Sequence, residues 1–351
     1  MYSQGHIPSL TGLRIVTAWI IFFHHINPVP DRTSFWHYLL REGHIGLTIF
    51  FVLSGFIIAK RYYEDAQSSL SFLQKYFFLR FARIYPAFWF VTTATFVMLY
   101  FLKGGISWKV YLLNITFLKG FSDFYKFTGI SQTWTLTVEE CFYATAPFLF
   151  LLYKTHHYFW RSLLGVYGFG LLLYRWIPPQ LRFFETLHFM THYTFFGRCF
   201  DFFAGFGLYL LLQRSQMPVL KGGLTALGVA GFGGVWLWLG YCQYGHIELN
   251  QVVLFVLQNY VLPIFIAFLI AGLVIEKTFF SQLLGLPFMQ WLGNASYIFY
   301  LIHIGLLTKL LDWVDWKAYF VLINVISLLA HWFFEKPVHQ YLKNKVLHHF
   351  R

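Results

Sequence analysis

The sequence predicts an all-α membrane protein of about ten transmembrane helices, and three observations lead there. Of its 351 residues, 58% are hydrophobic and only 11% charged, where a soluble domain carries roughly a quarter charged residues. Apolar runs long enough to cross about 30 Å of hydrocarbon at 1.5 Å per residue recur along the whole chain. The 23% aromatic content suits helices whose faces meet acyl chains and whose ends rest at the interface.

In chain order the spans fall near residues 9–29, 45–60, 84–102, 134–153, 159–176, 198–213, 222–241, 251–275, 291–308 and 318–335. Ten crossings return both termini to one side. Fourteen Lys and Arg, Lys221 and Arg351 among them, then lie with the termini against eleven opposite, which favours cytoplasmic termini. The first run contains Arg14, His24 and His25 and follows no basic n-region, so it reads as a retained helix and not a signal peptide. No linker, low-complexity tract or internal repeat interrupts the pattern. The expectation is one membrane-embedded domain over residues 1–351, without an attached soluble domain, whose chemistry lies in or beside the membrane.

The net charge of +12 does not indicate nucleic acid, because Lys and Arg sit between apolar runs and form no basic tail. They read as topology determinants and anion ligands. Cys141, Cys199 and Cys242 are odd in number and match neither a disulfide framework nor a metal-ligand spacing.

Arg14 and His25 share the first span. Eleven residues at about 100° each return nearly to one face, about 16 Å along the axis. His24 points a quarter turn away, toward lateral packing. An ionisable pair inside a span is costly and usually functional; the alternative is an Arg14 that snorkels and a His25 satisfied in the core. Arg80 and Arg83, three residues apart before the third span, project two guanidinium forks from one helix face and suit phosphates. Anchoring at anionic headgroups is the competing reading. Glu139 and Glu140 open the fourth span with side chains diverging by about 100°. One can orient a histidine or position a hydroxyl; alternatively the pair complements a helix dipole. Ser54-Gly55 offers a small surface for helix packing. Arg198 and Asp201 read as mutually neutralising, His303 and His331 as buried hydrogen-bonding residues, and Glu335 as facing either a polar cavity or water. No metal pattern is present.

In order, Leu10-Thr11-Gly12-Leu13-Arg14 with His25, Phe50-Phe51-Val52-Leu53-Ser54-Gly55-Phe56, Arg80-Phe81-Ala82-Arg83-Ile84-Tyr85-Pro86, Thr133-Trp134-Thr135-Leu136-Thr137-Val138-Glu139-Glu140, Ser296-Tyr297 with His303, and Glu335-Lys336-Pro337 resemble the acyltransferase-3 family of membrane acyltransferases. The resemblance covers nearly the whole chain. It departs at Thr11, where the family usually has Asp, and at Cys141, where it has Gln. It implies a bacterial inner-membrane enzyme that O-acylates cell-surface polysaccharide, lipopolysaccharide or glycolipid, taking acetyl from cytoplasmic acetyl-CoA and holding no permanent cofactor. Arg14, Arg80 and Arg83 would bind acyl-CoA, and His25 with Glu139 or Glu140 would act on the acceptor hydroxyl, either directly or through a transient acyl-histidine. Ser54, Tyr297, His303 and Glu335 would shape the pocket. Many relatives carry a periplasmic hydrolase-like domain; without one, delivery straight to the acceptor or to a separate partner is expected. A glycolipid or small-molecule transporter is the rival class, but it would ordinarily show interrupted helices in related halves.

Overall fold

The computed structural model describes residues 5–214 and 222–349, so Lys221 and Arg351 lie outside the described residues. Among these residues all regular structure is helical. In chain order the helices are α1 (Pro8–His25), α2 (Phe35–Arg41), α3 (Gly46–Tyr62), α4 (Leu70–Lys103), α5 (Trp108–Ile115), α6 (Trp134–His156), α7 (Phe159–Trp176), α8 (Leu187–Tyr193) and α9 (Phe195–Gln213). There follow α10 (Gly223–Tyr244), α11 (Gln251–Val256), α12 (Leu262–Ile275), α13 (Phe279–Gly285), α14 (Pro287–Asn294), α15 (Ser296–Ile302), α16 (Leu306–Leu310), α17 (Trp316–Ala330) and α18 (Lys336–His349). Wide i→i+5 turns at Leu257–Val261 and His331–Glu335 join α11 to α12 and α17 to α18.

The protein is an all-α, polytopic membrane protein. Among the described residues seven helical stretches are long and apolar enough to cross a bilayer: Phe35–Tyr62, Leu70–Leu102, Ser131–His156, Leu187–Gln213, Gly223–Tyr244, Gln251–Ile275 and Trp316–His348. The other three expected spans are also helical. Polar residues within α1 and α7 dilute their apolarity, and the run over 291–308 is divided among α14, α15 and α16. Large apolar side chains stand exposed, Phe333 at 80% and Phe101 at 78%, as lipid allows and water would penalise.

The chain packs as two compact units, one from residues 1–61 and 200–296, the other from 62–199 and 297–351. In the first, α3 and α9 meet through glycines. A Cβ on Gly55 would lie 2.2 Å from the Phe202 carbonyl oxygen, and one on Gly205 would lie 2.0 Å from that of Val52. Neither position has room for a side chain. Between lipid-embedded helices no hydrophobic force drives association, so such close backbone approach supplies the van der Waals contact. Buried Glu276 follows α12 and accepts from the amides of Leu224 and Thr225 at 3.0 and 2.9 Å. It thereby satisfies donors that the start of α10 leaves open.

In the second unit α4 runs unbroken for 34 residues, about 51 Å at the helical rise. The third span therefore begins at Leu70 and not near residue 84, and it places Arg80 and Arg83 inside the helix. Ser69 caps its start by accepting from the Phe72 amide. The segment leading into α6 is pinned by Lys119, only 1% exposed, whose ammonium donates to the carbonyls of Thr128 at 2.7 Å and Ile130 at 2.6 Å. It lies outside the spanning helices, and burial pushes its pKa down to about 7.

Two predictions follow from this packing. Gly55→Leu forces α3 and α9 apart and should destabilise the folded protein by about 1–3 kcal/mol or more, seen as a lowered melting temperature in detergent. An unchanged melting temperature would contradict the close approach. For Lys119, the unfolded chain keeps the ammonium proton to about pH 10.4 while the folded chain releases it near 7. Between those values the unfolded state binds more protons, so this group makes stability rise with pH, and its full cost is present below about pH 7. Lys119→Met should flatten the melting-temperature slope from pH 7 to 9.5; an identical slope in the variant would remove Lys119 as its source.

Candidate active site

The first unit carries Arg14 and His25 on the single uninterrupted helix α1, with His25 as its last residue. Their eleven-residue separation thus stays at three turns, about 16 Å along the axis. The two adjacent histidines turn to different partners. His24 Nδ1 meets the carbonyl of Arg41, and its ring lies 5.6 Å from that of His44. His25 Nδ1 lies 2.9 Å from the carbonyl oxygen of Ile21 one turn earlier. A carbonyl only accepts, so Nδ1 carries the hydrogen and Nε2 is the basic nitrogen of the neutral ring. Arg14 is half-buried midway along the helix. Ser54 is also half-buried, beside the Gly55 contact with α9.

The second unit gathers the other predicted residues along α4, α6 and α15 to α18. Arg80 is enclosed by tyrosines. Its Nη2 donates to the Tyr62 hydroxyl at 3.1 Å, and its guanidinium carbon lies 5.3 Å and 5.7 Å from the ring centroids of Tyr62 and Tyr143. Arg83 Nη1 pairs with Glu335 Oε1 at 2.7 Å, while Glu335 Oε2 meets His331 Nδ1 at 2.7 Å. One buried carboxylate therefore bridges an arginine on α4 and a histidine at the wide turn after α17. That turn brings His331 and Glu335 together, as such local widenings often do at functional positions. Tyr297 donates to the Ile84 carbonyl at 2.9 Å, on the turn of α4 that Pro86 interrupts.

Glu139 and Glu140 stand in the second turn of α6, not its first, too far in for the dipole to account for them. Glu140 Oε2 accepts from the Tyr85 hydroxyl at 3.1 Å. Its Oε1 is buried and has no hydrogen-bond partner among the described residues. This carboxylate oxygen has unused accepting capacity within a few residues of the Arg80 cage. Upstream, Gln132 donates to the carbonyls of Tyr300 and Leu301 at 3.0 and 3.1 Å, and the Tyr300 and Thr135 hydroxyls lie 2.7 Å apart. His303 is fully buried, with Nδ1 on the Tyr300 carbonyl at 2.8 Å. It belongs to the bracket that fixes α15 against the start of α6.

Sequence spacing did not single out Tyr62, Tyr143 or Tyr85, and it linked neither Arg83 nor His331 to Glu335. The only local signal was the i,i+4 spacing of His331 and Glu335, which suits a side-chain pair on a helix. Among the described residues no group of three or more His, Cys, Asp or Glu could hold a metal ion. The arrangement offers a tautomer-fixed histidine in one unit. The other provides two restrained guanidinium groups and a carboxylate with an open accepting oxygen, a set suited to anion binding and proton transfer.

Comparison with known proteins shows which family the chain resembles. The model of a family described as an acyltransferase domain matches residues 7–340. The peptidoglycan O-acetyltransferase OatA of Listeria monocytogenes is 25% identical, over 100% of this chain and 58% of its own length. A Staphylococcus aureus (strain COL) protein, SACOL0978, whose name also describes an O-acetyltransferase, is 22% identical over 95% of this chain and 57% of its own length. Nodulation protein 10 of Rhizobium leguminosarum is 28% identical over 44% of this chain and 47% of its own length. The chain therefore spans somewhat more than half of the longer relatives. No solved structure matches it. With the family pattern running through nearly every helix described above, the chain belongs to the acyltransferase-3 family of integral membrane proteins.

Proposed function

We propose that the protein is an acyl-CoA-dependent O-acyltransferase, which moves an acetyl group to a sugar hydroxyl of a cell-surface polysaccharide, lipopolysaccharide or glycolipid. The observation that carries the reading is His25, whose Nδ1 is committed to the Ile21 carbonyl so that Nε2 is the nitrogen that can take a proton. In this reaction the sugar oxygen attacks the thioester carbonyl carbon as Nε2 removes its proton. The tetrahedral intermediate then collapses with loss of the CoA sulfur, which takes the proton back from the imidazolium. Atoms balance with free CoA and the acyl ester as products.

Arg80 and Arg83 supply positive charge for the donor phosphates, and Arg14 also serves the donor. The Tyr62 hydroxyl and the Glu335 carboxylate each hold one of these guanidinium groups, which lowers the ordering cost of binding an anion. Glu140 Oε1 can accept a hydroxyl of the sugar, and Glu139 lines the next position on α6. Ser54, Tyr297 and His303 act through packing and hydrogen bonding. The donor reaches the site from the cytoplasm and the acceptor from the opposite face. The peptidoglycan named for the Listeria relative is one acceptor of the class.

His25→Ala should reduce acetyl transfer by about 10²–10⁴-fold, the range of a lost general base, whereas His24→Ala should keep activity within a few-fold. Equal loss in both would sink the assignment to His25. The donor site has its own test, because removing Arg83 alone takes the guanidinium away from buried Glu335 at a cost of about 3–5 kcal/mol. The compensated variant Arg83→Gln with Glu335→Gln, and separately Arg80→Gln, should stay folded and weaken acetyl-CoA binding about tenfold or more by calorimetry. Unchanged affinity would return both arginines to membrane anchoring.

A further inference from the structure

The second unit holds a groove that the acyl-transfer chemistry does not use. It lies between α6 and α7 beside the start of α9 and encloses about 570 Å³, within the range of pockets that take a small ligand. Cys141, Leu149 and Phe196 form its floor and Gly165 and Phe169 its outer wall. Its rim is Tyr158 and Arg161, at the turn into α7. From Arg161 to Phe169 is eight residues, about 12 Å along the helix axis.

The rim and the wall differ in chemistry. Exposed Arg161 lies over the Tyr158 ring at 4.6 Å, and that ring also stacks with His156 at 4.9 Å. Lys154, His156 and His157 precede it, and no Asp or Glu occurs between Glu140 and Glu185. Among the described residues no carboxylate pairs with Arg161. Tyr158 and Trp160, both exposed, are the aromatic types that settle at headgroup level. The turn therefore sits where lipid phosphates are, with the groove running from it toward the acyl region.

We propose that this groove is a binding site for an anionic phospholipid, with one acyl chain between α6 and α7 and the phosphate on Arg161. Charge complementarity selects the occupant. A neutral chain would fill the groove but leave Arg161 unused, and a free phosphate would leave the apolar wall wet. The site stands whether or not the protein transfers acyl groups.

The test uses the full chain, stripped of lipid in a neutral detergent, with melting followed as phosphatidylglycerol is added. Diacylglycerol with the same chains and glycerol 3-phosphate serve as the chain-only and headgroup-only probes. Phosphatidylglycerol should raise the melting temperature saturably by several degrees, diacylglycerol much less and glycerol phosphate not at all. Arg161→Gln should weaken the apparent affinity about fivefold, the expectation for one cation near a lipid phosphate. A Cβ added at Gly165 meets open space, so Gly165→Leu should fold, fill the groove and abolish the shift. Equal shifts with diacylglycerol, a full shift with glycerol phosphate, no shift with any probe, or a Gly165→Leu protein that responds like the parent would each overturn the proposal.

Discussion

A charged side chain inside a lipid-embedded helix has to be met there by an opposite charge, a polar donor or an aromatic face, and the second unit is organised by that requirement. Arg80 and Arg83 share one face of α4, and each is answered differently. Arg83 draws in Glu335 and through it His331, which ties the far end of the chain to α4. Arg80 draws in Tyr62 and Tyr143, and Tyr143 in turn receives the Tyr76 hydroxyl on its backbone carbonyl at 2.9 Å. These contacts tie α4 to α6 and to the wide turn that leads into α18.

These contacts restrain the two arginines without consuming them. A guanidinium has five N–H donors, and the Tyr62 and Glu335 contacts each engage one nitrogen. In the proposed function, a multiply charged donor gains from side chains whose rotamers are already fixed. Glu335 also offsets the charge of Arg83, and the wide turn at His331–Glu335 brings the histidine onto the carboxylate that meets that arginine. The same economy appears at His25, where a backbone carbonyl fixes the ring and its tautomer without adding another ionisable group.

The sequence revealed the parts of this design that repeat locally. α7 occupies residues 159–176, and α6 begins at Trp134, both at the expected places, because continuous apolar runs mark them. The third expected span, α4, starts fourteen residues earlier than hydropathy indicated, since Gln74, Lys75, Arg80 and Arg83 dilute the apolar signal. A run of hydropathy also cannot register the break at Gly305, whose φ of 105° ends the helical path between α15 and α16. The i,i+4 spacing of His331 and Glu335 was visible in the sequence, but their widened turn was not. Arg83 and Glu335 are separated by most of the chain, and Gln132 and Tyr300 by 168 residues. Such contacts are set by how helices pack, which no local periodicity encodes.

Glu140 shows what the structure adds to chemistry inferred from residue type. Read along the sequence, Glu139 and Glu140 were equivalent, and a helix dipole could have explained both. With α6 beginning at Trp134 that explanation reaches only the first turn, and Tyr85 distinguishes the pair by donating to one oxygen of Glu140. A buried carboxylate oxygen left without a donor is costly, and a protein has reason to keep one where a substrate hydroxyl completes the set. In the proposed function that role falls to Glu140, with Glu139 as its neighbour on α6. The two acids of one motif thus stand in different surroundings.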